Sequence, residues 1–149
     1  MFAAVLLAAG YGTRLERDVL ADTSGKHAHL VGVSKALVPV SASDSSDTVL
    51  ARWLAQVRAC SDQVERTVLV TNHAHVEQFR RAAALHGVRV VDDGSASNAD
   101  RLGAVADLRL AVDADDAAIR RSAAHLLVIA GDTLFYSGAS CFLSCVEFF

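Results

Sequence analysis

The chain opens on Phe2-Ala-Ala-Val-Leu-Leu-Ala-Ala9, an unbroken apolar run stopped by Gly10 and Gly12. A continuous run of this length, bounded by turn residues, predicts a central strand buried on both faces. A helix is expected from about Thr13. The mixed, polar stretch from Val19 to Ser34 reads as an extended loop. Lys35 to Val40 is a short apolar segment whose proline, Pro39, argues against a central strand. After the Ser/Asp-rich turn of residues 41–47, Asp47 or Thr48 can cap a helix to about Cys60. There Val49, Leu50, Trp53, Leu54 and Val57 recur at helical spacing. Trp53 is read as part of that buried face.

The alternation continues. Thr67 to Thr71 predicts a second strand, and Ala74 to His86 a second helix stopped at Gly87. Val88 to Val91 is a third strand, followed by a loop from Asp92 to Ser97. Asn98 is expected to cap a third helix running to about Val112. The acidic and basic residues from Asp113 to His125 read as helical, and Leu126 to Ala130 as a fourth strand ending in Gly131-Asp132. Strands alternating with helices imply right-handed crossovers and a mainly parallel α/β sheet with helices on both sides. In such sheets ligands bind beyond the carboxyl ends of the strands. The first and fourth strands both end in sequence suited to that: glycines with a cation, and Gly-Asp.

Composition narrows the field. With 149 residues, 52% hydrophobic, the chain fits one globular domain. Its formal charge of -3 with interspersed signs excludes the basic stripe of a nucleic-acid binder. Cys60, Cys141 and Cys145 make an odd, low count, which argues against a disulfide framework and for a reducing compartment. Cys141 and Cys145 lack the second pair that would complete a zinc site. The pairs His27/His29 and His73/His75 fall in predicted loops or at a helix start, and are read as surface histidines. The first apolar run has no basic flank, and no stretch approaches the ~20 residues needed to span a bilayer. Cytoplasmic localisation, with no membrane and no nucleic-acid partner, is therefore expected.

The candidate chemistry begins at Gly10-Tyr11-Gly12-Thr13-Arg14, which follows a buried strand and opens a helix. Glycines let backbone N–H groups approach an anion closely, and the helix N-terminus adds partial positive charge. Arg14 adds a permanent, bidentate phosphate ligand. A dinucleotide fingerprint would need Gly or Ala where Leu15 stands. A Walker loop would need a hydroxyl residue where His27 follows Gly25-Lys26.

Leu7-Ala-Ala-Gly-Tyr-Gly-Thr-Arg-Leu15 together with Ser34-Lys-Ala-Leu-Val-Pro-Val40 resembles the paired signature of nucleotidyltransferases that act on sugar phosphates. Asn98-x-x-Arg101-Leu-Gly-Ala104 is similar to that family's nucleobase segment, and Gly131-Asp132 to its metal-binding Gly-Asp. The resemblance covers about residues 1–135. It implies a Rossmann-like, three-layer, glycosyltransferase-A-like fold, with the first strand flanked by the second and fourth and the third beyond the second.

The same resemblance implies an activity: transfer of a nucleotidyl group from a nucleoside triphosphate to a sugar 1-phosphate, releasing pyrophosphate, as in nucleotide-sugar biosynthesis. Arg14 and Lys35 would be the catalytic cations. Ala8, Ala9, Gly10, Gly12, Thr13, Asn98 and Gly103 would bind the nucleotide, and Asp132 would hold Mg²⁺. The partners are then a nucleoside triphosphate and a sugar phosphate.

Three departures stand out. Ser34 replaces the proline that usually precedes the lysine, which is expected to loosen that turn, and the loop between Arg14 and Lys35 is longer than the common pattern. The third concerns the end of the chain. After Phe135 the family supplies a second carboxylate and most of the acceptor pocket, whereas residues 136–149 form a hydrophobic tail whose one carboxylate is Glu147. This reads as a nucleotide-binding part over residues 1–135 that stops after its fourth strand, with self-association through that strand's edge and the tail. Two other readings stay open: a non-catalytic nucleotide-binding or regulatory module, and a nucleotidyltransferase for a molybdenum cofactor or a phosphocholine-like acceptor.

Overall fold

A computed structural model describes residues 1–117, 119 and 125–134. The readings made for residues 136–149, and part of the helical reading from Asp113 to His125, lie outside them.

Among the described residues four strands form one sheet in the order β3-β2-β1-β4: β1 is Phe2–Leu7, β2 Val64–Thr71, β3 Arg89–Asp92 and β4 His125–Ala130. All three pairings are parallel. This is the order the resemblance implies, and the α/β, Rossmann-like fold is the expected one. The helices are α1 (Thr13–Ala21), α2 (Val49–Ala59), α3 (Val76–Ala83) and α4 (Ala104–Ala114).

The apolar run of β1 is continuous because both its faces are covered. Phe2, Ala4 and Leu6 join Leu50, Trp53, Leu54 and Val57 of α2 and Phe79 of α3 in one core. Val5, one step out of phase, packs with Val68, Val70 and Ala111 of α4 in the other. Side chains alternate across a strand, so a strand sandwiched between two helical layers needs apolar residues at every position. Val5, Leu6, Val68, Leu69 and Val70 are all completely buried. Each contributes about 1.5–3 kcal/mol of apolar burial.

Boundaries moved in three places, and the choice of cap for α2 is settled. β2 begins three residues before the expected Thr67, because Val64 is drawn into register with Phe2. Thr48 is the cap of α2, its side chain accepting from Ala51 N at 3.1 Å. α3 is shorter than the apolar pattern implied, since His73–His75 form a 3-10 turn before it. Asn98 does not cap the third helix: it sits in an exposed turn, and α4 starts at Ala104 behind Gly103, whose φ of +88° lies in a region that favours glycine.

Two local expectations also need correction. His75 is not a surface histidine but is 8% exposed, held beneath the long loop before Lys35. Ser34 does not loosen its turn. It is buried, and its φ of -60° is the angle a proline would impose.

Candidate functional site

The parallel pairing of β1 and β4 runs to Leu7 and Ala130, so the two strands end side by side. Gly131 N then donates to Leu7 O at 2.9 Å. A Cβ on Gly131 would lie 2.8 Å from that same oxygen, so only glycine permits the approach. The Gly131-Asp132 turn and the glycine loop therefore leave the sheet together.

The loop after β1 is tied down from below. Ala8 N donates to Val70 O at 2.8 Å, and the Asn72 side chain donates to Ala9 O at 3.0 Å while accepting from His75 N. The Tyr11 hydroxyl donates to Ser95 O at 2.6 Å, anchoring the far side of the loop to the segment after β3. Gly12, with φ +64°, turns the chain into α1, and no side chain caps that helix. The amides of its first turn are thus open to an anion, as helix N-termini favour.

Lys35 is in the 3-10 turn Lys35–Leu37, with its aliphatic stem against Gly12. Its ammonium lies 3.9 Å from Asp132 Oδ2, with both side chains partly exposed. A pair this exposed contributes about 0–1 kcal/mol to stability. Its interest is its position: Ala8, Gly10, Ser34, Lys35, Gly131 and Asp132 line one cavity of about 180 Å³.

A wider groove of about 380 Å³ adjoins it across Gly10, lined by Ala9, Asp93, Arg101, Gly103, Asp107 and Ala130. Asp93 Oδ1 accepts from the Ser95 amide and hydroxyl, both at 2.7 Å. Asp93 Oδ2 and Asp107 Oδ1 are buried without a hydrogen-bond partner among the described residues. Burial, reinforced by the charge of Asp93, pushes the Asp107 carboxyl up from its ordinary value. Both residues line the groove, and carboxylate oxygens suit a ligand edge rich in N–H groups.

The structure thus brings Ala8, Gly10, Lys35 and Asp132 to one cavity, and Ala9, Gly10 and Gly103 to the next. Gly12 lies beside Lys35. Thr13 and Arg14 are exposed in the first turn of α1, and Arg14 makes no ion pair among the described residues. Asn98 is exposed and does not line the groove, whereas Arg101, three residues on, does. Sequence reasoning missed Asn72, Asp93 and Asp107. Asn72 carried a usable signal, since it directly follows the carboxyl end of β2.

Among the described residues no group of three or more His, Cys, Asp or Glu is placed to cage a metal. Asp132 alone fits the other mode, in which Mg²⁺ keeps several waters and is shared between one or two carboxylates and ligand phosphates.

A parallel sheet with a glycine loop opening a helix, and a lysine and a Gly-Asp turn beside it, is the α/β arrangement of the nucleotidyltransferase class. The chain belongs to the MobA-like NTP transferase domain family, whose sequence model matches residues 4–141. Nucleotidyl transfer is the general chemistry this family carries. No curated protein matches the chain. No helix among the described residues is long and apolar enough to cross a membrane.

Proposed function

We propose that the site serves transfer of a nucleotidyl group from a nucleoside triphosphate to a sugar 1-phosphate, with release of pyrophosphate. The observation that carries this reading is the Lys35–Asp132 pair, 3.9 Å apart on the cavity beside Gly10. The sugar phosphate as acceptor is supported by the paired motifs at residues 7–15 and 34–40.

In this reading the amides from Ala9 to Thr13 hold the phosphates beside Ala8, and Arg14 offsets charge on the departing pyrophosphate. Lys35 neutralises charge where acceptor and α-phosphate meet. Gly103 borders the base, with Arg101, Asp93 and Asp107 offering it a donor and two acceptors. An acceptor phosphate oxygen attacks the α-phosphorus in line, and the bond to the β-phosphate oxygen breaks. Such a transfer depends on positioning and charge neutralisation rather than a covalent intermediate. Mg²⁺ bound at Asp132 would supply further charge neutralisation on the phosphates.

The family match supports equally an acceptor such as a molybdenum cofactor or a phosphocholine-like alcohol phosphate. Pyrophosphate release, measured with each triphosphate and a panel of acceptors, separates the readings. Release on adding a sugar 1-phosphate assigns that acceptor to the site. Release with another acceptor alone reassigns the substrate, and nucleotide binding without release for any acceptor makes the chain a binding module.

A further inference from the structure

Trp53 is buried in α2, and its helical spacing alone marks it as core. Yet its indole N–H donates to the carbonyl of Thr133 at 2.7 Å. Thr133 directly follows Asp132. Its own N–H donates to Ala130 O at 3.1 Å, and Gly131 N bonds Leu7 O, so the indole supplies the third pin of a short turn. The carboxylate of Asp132 projects from the middle of that turn.

The same helix also holds Lys35's segment. Val49 N donates to Val38 O at 3.4 Å, Val40 N donates to Asp47 O at 2.8 Å, and Pro39 and Thr48 form an isolated bridge. One helix therefore fixes both sides of the 3.9 Å Lys35–Asp132 gap.

We propose that Trp53 is a positioning residue for cation binding, its indole N–H aiming the Asp132 carboxylate at a divalent ion that arrives with the nucleotide phosphates. This rests on the function proposed above. Phenylalanine would fill most of the same space but leave the Thr133 carbonyl unpaired and the turn free to rotate Asp132. A purely structural tryptophan, by contrast, would affect folding and leave the metal dependence of binding unchanged.

The test uses the full chain, Mn²⁺, and a non-hydrolysable nucleoside triphosphate. The chain has one tryptophan, so its indole gives a single N–H resonance. In the wild type that resonance should exchange slowly with solvent and broaden on adding Mn²⁺ only when the analogue is present. Trp53→Phe should bind the metal-free analogue as the wild type does, while Mn²⁺ in the ternary complex binds about threefold to tenfold more weakly, the effect of losing one neutral hydrogen bond. Equal Mn²⁺ affinity in Trp53→Phe would overturn the proposal and leave the nucleotide site standing. A wild type that binds neither analogue nor Mn²⁺ would overturn the nucleotide site, and this proposal with it. If Trp53→Phe does not fold, the wild-type resonance decides: no broadening with both ligands bound places the cation away from Asp132 and refutes the inference.

Discussion

Gly10 offers the sharpest separation of binding from folding. It lines both the phosphate-sized cavity and the wider groove, and a Cβ built on it meets nothing within 4 Å. Its φ is not positive, so alanine fits the backbone without strain. Gly10→Ala should therefore leave stability unchanged or raise it by about 0.4–1 kcal/mol, through the reduced freedom of the unfolded chain. Binding should respond in the opposite sense. Loop amides donate to a phosphate at about 2.9 Å, whereas a methyl carbon needs roughly 3.5–4.0 Å from its neighbours. The added methyl would push the phosphate off the loop and break at least one charge-assisted hydrogen bond. Such a bond contributes about 1.5–3 kcal/mol, so triphosphate affinity should fall roughly tenfold to a hundredfold. Urea unfolding gives the first quantity and titration calorimetry the second. Unaltered affinity would mean that the empty space above Gly10 is not where phosphates sit.

Further expectations rest on other positions. Gly131→Ala should cost about 1–3 kcal/mol in urea unfolding, because its Cβ would lie 2.8 Å from Leu7 O and 3.1 Å from Ala8 Cβ; an unchanged midpoint would mean that the strand ends are not tightly joined. Arg14→Ala should weaken triphosphate binding far more than monophosphate binding in calorimetry, and equal losses would show that Arg14 is not aimed at the terminal phosphates. Burial holds the His75 imidazole below its ordinary 6.5, against an opposing pull from Glu16. The unfolded chain then takes up the proton first as pH falls, so stability is full above the ordinary value and declines below it. His75→Gln should flatten that decline in unfolding curves taken between about pH 7 and pH 5, and an identical pH profile would contradict this cause.

The parts legible in sequence are those written in local periodicity. The unbroken run of β1, the helical apolar spacing of α2 and the glycines after β1 each state their role within a few residues. The strand order, and the placing of Lys35 and Asp132 in one site, came instead from the resemblance to nucleotidyltransferases. What escaped is written in long-range contacts. Asn72 reaches Ala9 across 63 positions, Trp53 reaches Thr133 across 80, and Tyr11 reaches Ser95 across 84. No window of sequence displays such a pair. His75 escaped for a related reason, since its burial depends on a loop more than forty residues upstream, where Gln78 also grips Gly32 O. Asn98 misled because its side chain is a good helix cap, yet the backbone turn that launches α4 needed the positive φ available to Gly103.

The central claim places a nucleoside triphosphate at the carboxyl ends of β1 and β4. The molecule has a competing cavity of about 260 Å³ at the other end of the sheet, lined by Arg58, Glu65, His86 and Val88 among others. Mapping backbone amide shifts on adding a non-hydrolysable nucleoside triphosphate with Mg²⁺ distinguishes the two ends directly. The largest changes should fall on Gly10, Tyr11, Gly12, Thr13, Lys35, Gly103 and Asp132. Changes centred on Arg58, His86 and Val88, with the glycine loop undisturbed, would contradict the assignment.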